Sequence, residues 1–258
     1  MDTTLETLEE IARWISEARS VLALTGAGVS TASGVPDFRG PQGLWTKDPK
    51  AERLANIEVY VTDPEARRES WRRRLAASEQ GVRPNPGHEA LAELERMGRL
   101  ARLVTQNVDG LHQDAGNDPD RVVEIHGTIR EATCLDCDWR GPMEPVLARV
   151  REGESDPACH ECGGMLKSAT ISFGQALDPA QMQRAHDAAI ASDLFLAIGS
   201  SLVVHPIAML PQVALDAGAR LVVLNGEPTP YDRQAHRVLH DDVSVVLPRI
   251  LERVRTSG

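Results

Sequence analysis

No stretch of this chain approaches the roughly 20 consecutive apolar residues that a membrane-spanning helix requires, so no membrane partner is expected. The opening MDTTLETLEE is acidic and lacks an apolar centre; it is not read as a signal peptide, and a cytoplasmic location is expected. Basic residues are the scarcer charge, with 28 Lys and Arg against 38 Asp and Glu and a formal net charge of −10. Nucleic-acid affinity comes mostly from Lys and Arg meeting phosphates, so this deficit argues against nucleic acid as a main partner. Cysteine is limited to four residues, all between Cys134 and Cys162. In a reducing compartment such a cluster points to a metal rather than to disulfides. Internal repeats and low-complexity segments are also missing. What the chain has is apolar residues, 41% of 258, enough to bury the core of one large domain or of one with a small insert.

Those apolar residues follow two patterns. TTLETLEEIARWISEAR places Leu5, Leu8, Ile11 and Ile15 at helical spacing and predicts an amphipathic helix. Short runs then follow: VLALTG (21–26), LARLVTQN (100–107), VVEIHG (122–127), ATISFG (169–174), LFLAIGSS (194–201) and RLVVLNG (220–226). Runs of this length, apolar on both faces, suit buried parallel strands, with GHEALAELERMG and PAQMQRAHDAAIAS as covering helices. Several end in Gly, Asn or Ser, residue types suited to ligand loops at strand carboxyl ends. The predicted fold class is α/β, a doubly wound parallel (Rossmann-like) sheet with a second, smaller domain.

Two stretches break the alternation and are expected to form that small domain. Residues 41–85 contain a helix, DPEARRESWRRRLAASEQ, with Asp63 as cap and Pro64 in the first turn. Residues 128–168 carry the cysteines, so the small domain is read as a helical insert plus a zinc ribbon. The large domain is then discontinuous, 1–40, 86–127 and 169–258. Cys134 and Cys137, a 21-residue gap, then Cys159 and Cys162 give paired C-x-x-C, which closes four thiolates around one Zn²⁺. With every coordination position filled by protein, the expected metal is structural.

TGAGVSTASGVPDFRG (25–40) raises the question of a nucleotide. A tight turn after VLAL lets backbone N–H groups approach a pyrophosphate at a helix N-terminus. G-x-G-x-x-G is not met, because Gly34 follows Gly28 by six residues instead of three, and no clear ribose-binding acid stands about twenty residues on. Taken alone, the turn fits an ordinary strand-to-helix connection as well as a ligand site.

The order of motifs adds what the turn cannot. GAGVSTASGVPDFRG, TQNVDGLH (105–112), HG (126–127), the paired C-x-x-C, SFGQ (172–175), GSSLVVHP (199–206) and LNGE (224–227) occur in that sequence. Together they resemble the sirtuin family, over about residues 5–250. The resemblance implies an NAD-dependent protein lysine deacylase, foremost a deacetylase, that consumes NAD and releases nicotinamide and 2′-O-acyl-ADP-ribose. Its partners would be acyl-lysine proteins or peptides. In that chemistry the amide oxygen of the acyl-lysine attacks C1′ of the nicotinamide ribose, nicotinamide leaves, and the acyl group then moves to the sugar. An amide oxygen is a poor nucleophile, so catalysis must come largely from orientation, worth up to about 7–11 kcal/mol, and from stabilising charge on the sugar. A base is needed to free a ribose hydroxyl, and a neutral imidazole suits that task.

By resemblance, His126 is that base and Asn107 orients the ribose. Gly26, Ala27 and Gly28 form the phosphate turn, and Ser30 begins the cofactor-binding loop. Pro36, Asp37, Phe38 and Arg39 belong to the cofactor-binding loop, where Phe38 covers the reactive sugar and excludes water. Gln106 flanks the ribose, and Asp109 meets the nicotinamide pocket. Gly199, Ser200 and Ser201 would contact phosphate or ribose oxygens; Asn225, Gly226 and Glu227 the adenosine ribose; and Val243 adenine. His88 matches a family pattern but is read only as a helix-start residue.

For the substrate, ISFGQ resembles the segment that pairs with the peptide backbone, which implies contacts from Phe173 and Gly174. Family members that prefer acidic acyl groups carry Tyr-x-x-Arg in the helical insert. Here Trp71-Arg72-Arg73-Arg74 stands in that place, so Trp71 and Arg74 are expected at the acyl group. An indole cannot accept a hydrogen bond and fills more of the pocket, which favours deacetylation over desuccinylation. Two other readings stay open: a protein mono-ADP-ribosyltransferase on the same scaffold, and a non-catalytic zinc-ribbon interaction module. The sequence sets neither the target proteins nor the oligomeric state.

Overall fold

Short strands with no polar face are stable only inside a layered structure, and most of the runs above lie in one. The computed structural model describes residues 3–38, 40–41 and 43–256. Its named strands are β1 (Val21–Thr25), β2 (Arg102–Thr105), β3 (Val122–Glu124), β4 (Gly127–Cys134), β5 (Arg140–Pro142), β6 (Leu166–Thr170), β7 (Leu194–Ile198), β8 (Arg220–Leu224) and β9 (Arg237–Leu239). Six form a parallel sheet in the order β3-β2-β1-β7-β8-β9. Numbered among themselves, these strands run 3-2-1-4-5-6, the doubly wound order.

Side chains alternate between the two faces, and each face has its own core. Ala23, Leu103, Leu196, Ile198 and Val222 pack under the helices Thr3–Glu17, Pro86–Arg96 and Val243–Thr256. Leu22, Leu24, Val104, Phe195 and Val223 pack under Pro179–Ala191 and Leu210–Asp216. The first helix buries Leu8, Ile11 and Ile15 as its spacing predicts, while Leu5 stays exposed. No helix among the described residues is long and apolar enough to cross a membrane.

Two findings depart from the sequence reading. ATISFG does not add a strand to the parallel sheet: its first two residues end β6, which pairs antiparallel with β4 in a separate three-stranded sheet, β5-β4-β6. The remainder leaves as a loop, tied back by the Ile171 N–H donating to the His126 carbonyl at 2.8 Å. The sixth parallel strand is instead β9, only three half-buried residues long and too short to stand out as an apolar run. The small sheet packs on the helices Pro64–Ser78 and Met143–Arg151 through Trp71, Ala132, Val146, Leu147 and Leu166. Asp63 caps the first of these helices, accepting from the N–H groups of Glu65 and Ala66, with Pro64 at its start.

Candidate active site

The direction of the sheet order reverses between β1 and β7, and their carboxyl ends are level, Thr25 opposite Ile198. Chain leaving these two strands diverges, which opens a crevice where such sheets bind ligands. Glycine makes the crevice possible. A Cβ at Gly26 would come within 2.7 Å of the Gly199 carbonyl oxygen, and one at Gly28 within 2.8 Å of the Gly199 Cα. Gly199 itself has φ +59°, and its Cβ would meet the Val29 nitrogen at 2.4 Å. Backbone therefore lies against backbone, fastened by Gly28 N–H donating to the Gly199 carbonyl at 2.8 Å. Beside it opens a cleft of about 1110 Å³, running from these turns to the small sheet.

His126 stands in the cleft just past the end of β3. Its Nδ1 lies 3.0 Å from the Gln106 carbonyl, which can only accept, so Nδ1 carries the proton and Nε2 is the basic nitrogen. Burial lowers the pKa of this imidazole below its usual value, partly offset by that hydrogen bond, which keeps the ring neutral at pH 7. The buried Asn107 donates through Nδ2 to the Gly26 carbonyl and to Ser30 Oγ, both at 3.1 Å. Its Oδ1 has no partner among the described residues and is left for a donor such as a sugar hydroxyl.

Ser30 is the hub of this cluster. Its hydroxyl donates to Asp109 Oδ2 at 2.8 Å, and Asp109 Oδ1 accepts from the Leu111 N–H at 3.0 Å. His88 completes the set. Its Nδ1 accepts from the Asn85 N–H in a helix capping box, so its Nε2–H donates to Ser30 Oγ at 3.3 Å. The helix-start role read from the sequence is therefore present, and a contact to the cleft wall is added to it. Gln106 donates to Ser200 Oγ at 2.8 Å, joining the turns after β2 and β7. At the far end Asn225 spends its Nδ2 on the Glu227 carbonyl at 2.7 Å, which leaves its Oδ1 for a ligand.

The four cysteines converge away from the cleft. Their sulfurs lie within 4.8 Å of one another, Cys134 to Cys162 at 3.6 Å and Cys137 to Cys159 at 3.8 Å. Those separations are far too long for disulfides. They match the roughly 3.8 Å expected between thiolates placed tetrahedrally about 2.3 Å from Zn²⁺. Backbone N–H groups of Asp136 and Gly164 donate to the Cys134 and Cys162 sulfurs, the outer-shell contacts expected of metal-ligating sulfur. The donor set fits one structural zinc ion.

Comparison with known proteins agrees with this geometry. The Sir2 family model matches residues 26–206. The chain belongs to the Sir2 family. It is 51% identical to NAD-dependent protein deacetylase 2 of Streptomyces coelicolor over 231 residues, covering 90% of this chain and 96% of that one. It is 41% identical to the NAD-dependent protein deacetylase of Sulfolobus acidocaldarius, covering 98% and 97%. A Sir2 protein solved with a p53 peptide and NAD⁺ superposes with a TM-score of 0.84 at 31% identity, covering 96% of this chain and 99% of that one.

In this Sir2 chain the cleft brings together the residues singled out by sequence, from Gly26, Ala27, Gly28 and Ser30 through Pro36, Asp37 and Phe38 to His126. It continues past Gly199, Ser200 and Ser201 to Asn225, Gly226, Glu227 and Val243. Phe173, Gly174 and Arg74 line its other side. Arg39 lies outside the described residues. Trp71 does not line the cleft: only 2% exposed, it is packed in the core of the small sheet, where a large apolar ring is best placed.

Among the cleft residues that the sequence reading did not single out are Trp45, Tyr60 and Lys167. Arg74 donates to Ser168 Oγ at 3.2 Å, and Lys167 donates to the Ser168 carbonyl at 3.1 Å. Neither has an ion pair among the described residues. Burial lowers the Arg74 pKa, and burial followed by the nearby Arg74 charge pushes Lys167 down to about 8. Nothing in the sequence marks Lys167 beyond its place just before SATISFG.

Proposed function

We propose that the chain is an NAD-dependent protein lysine deacetylase that releases nicotinamide and 2′-O-acetyl-ADP-ribose. The observation that carries the reading is the His126 imidazole, neutral and with only Nε2 basic, in a glycine-walled crevice beside Asn107. NAD would supply the electrophilic ribose carbon and the leaving nicotinamide. Gly26, Gly28 and Gly199 give the pyrophosphate room against the backbone. Asn107 Oδ1 accepts from a ribose hydroxyl, and His126 Nε2 takes the proton of the hydroxyl that captures the acyl group. Phe38 shields the sugar from water, and Phe173 with Gly174 holds the peptide. Asp109 stays with Ser30 at the nicotinamide side.

The division into a cofactor domain (1–40, 86–127, 169–258) and a small domain (41–85, 128–168) belongs to this reading. A cytoplasmic setting suits four thiols kept free for a metal, and the acidic charge disfavours nucleic acid as a partner. The test compares wild type with His126→Ala on NAD and an acetyl-lysine peptide. Peptide-dependent nicotinamide release with deacetylated peptide supports the reading. Label from NAD retained on protein would support ADP-ribosyl transfer instead, and no nicotinamide release would support an interaction module.

One observation favours a wider acyl range. Cations taken out of water are normally paired, yet the half-buried Arg74 and the buried Lys167 hydrogen-bond only neutral oxygens among the described residues. Trp71, whose bulk argued against acidic acyl groups, is not in the way. Succinyl-lysine and acetyl-lysine peptides compared in the same assay decide whether a terminal carboxylate is the missing partner; with Arg74→Met the preference should then move toward acetyl by at least tenfold.

A further inference from the structure

Three aromatic rings stand at the mouth of the cleft, and the outer two belong to segments with different ligands in the reading above. Phe38 ends the described part of the loop expected over NAD, and Phe173 lies in the segment expected to hold the peptide. Both are 42% exposed, unusual for phenylalanine at a site built from small and polar residues. Trp45 stands between them. Its ring centroid is 4.8 Å from that of Phe38 at 44° and 5.5 Å from that of Phe173 at 59°. The indole also lines the cleft.

Backbone hydrogen bonds repeat the same connection. Trp45 N–H donates to the Phe38 carbonyl at 3.0 Å, and Leu44 N–H donates to the Asp37 carbonyl at 2.7 Å. Phe173 N–H donates to the Ala55 carbonyl at 2.8 Å, and its own carbonyl accepts from Ile57 N–H at 3.0 Å. The helical insert therefore grips the cofactor loop at 44–45 and the peptide segment at 55–57. A ring lodged between two partners cannot follow a shift of one without changing its packing on the other.

We propose that Trp45 is a positioning residue that couples the two ligand sites: a peptide seated along Phe173 fixes the indole, and the indole sets Phe38 against the nicotinamide ribose. This rests on the deacetylase reading of the cleft. Coupling of this kind is reciprocal, each ligand tightening the other by the same factor. Ordering shared by both sites is needed only once, whichever ligand binds first.

The test uses the whole protein with zinc retained, and ADP-ribose as probe because it carries the ribose but cannot react. ADP-ribose is titrated by calorimetry with and without saturating acetyl-lysine peptide, and the ratio of the two dissociation constants is the readout. Wild type is expected to bind ADP-ribose at least about fivefold tighter with peptide, a coupling of about 1 kcal/mol. Trp45→Ala is expected to bring the ratio below twofold. Trp45→Phe, which keeps a ring, should recover part of it. A purely structural role for Trp45 would weaken both titrations and leave the ratio unchanged. Trp45→Leu, which keeps apolar bulk without the ring, serves if the alanine variant does not fold, with the same expectation. A wild-type ratio near one, or an undiminished ratio in a folded Trp45→Ala or Trp45→Leu, overturns the proposal. Failure of the deacetylase reading is a different result, no peptide-dependent nicotinamide release by wild type.

Discussion

An imidazole that has given its Nδ1–H to a backbone carbonyl has one nitrogen left to act as a base, and the fold decides which. In His126 the Gln106 carbonyl makes that choice, and burial keeps the ring neutral. His126→Ala should lower acyl-ADP-ribose formation by about 10²–10⁴-fold, the usual share of a general base, with the midpoint of thermal unfolding little changed. Because protonation removes the base and burial lowers its pKa, kcat/KM of wild type should hold to below pH 6.5 and fall only in more acid solution. A pH–rate profile for wild type checks this; activity lost already above pH 7 would contradict it. At this scale the sequence was a good guide to residues that sit inside motifs. His126, Asn107 and Ser30 could be picked out because each lies in one of the ordered motifs that carry the family resemblance. Lys167 and Trp45 could not, since only the folded chain brings them to the cleft. Trp71 was misplaced because a one-dimensional match to Tyr-x-x-Arg does not show which way a helical side chain points, and a large ring at position 71 is drawn into the small core.

At the scale of elements, the crevice depends on three glycines meeting between the turns after β1 and β7. Gly199→Ala must place a methyl group 2.4 Å from the Val29 nitrogen with φ in the left-handed region. Backbone cannot yield there as a side chain would. The substitution should cost about 1–3 kcal/mol, read by equilibrium denaturation, and should weaken ADP-ribose binding. Gly226→Ala, with open space around its Cβ, should leave stability within about 0.5 kcal/mol. Zinc provides a second element-scale test. Elemental analysis should find one zinc per chain, and Cys137→Ser should lose it and loosen the small sheet, whose core includes Cys134 and Cys159. Metal content unaffected by that change would contradict a four-thiolate site. Strands apolar on both faces were readable in sequence because only a covered parallel sheet can hold them. ATISFG misled for the same reason: Thr170 and Ser172 let its apolar residues end one sheet and start a loop, a choice made by pairing with β4. β9 offers only Arg-Val-Leu and gains its place from its neighbour β8.

For the whole molecule, the buried His88 and His112 and the half-buried His126 link stability to pH. Burial lowers the pKa of His88, His112 and His126, with His112 pushed down to about 3 by burial and then by the neighbouring His88. Each binds a proton more readily unfolded than folded, so its contribution is complete above about pH 6.5 and is lost as the pH falls from there toward the folded value. The urea midpoint should drop between pH 7 and pH 5, with a limiting slope of about 1.4 kcal/mol per pH unit for each histidine that stays neutral. A flat midpoint over that range would contradict burial of these rings. The central claim joins base, sugar and acyl-lysine in one cleft, and mass spectrometry of a single reaction containing NAD and an acetyl-lysine peptide tests it most directly. Nicotinamide, deacetylated peptide and acetyl-ADP-ribose should appear in equal amounts; free acetate with NAD left intact would contradict it.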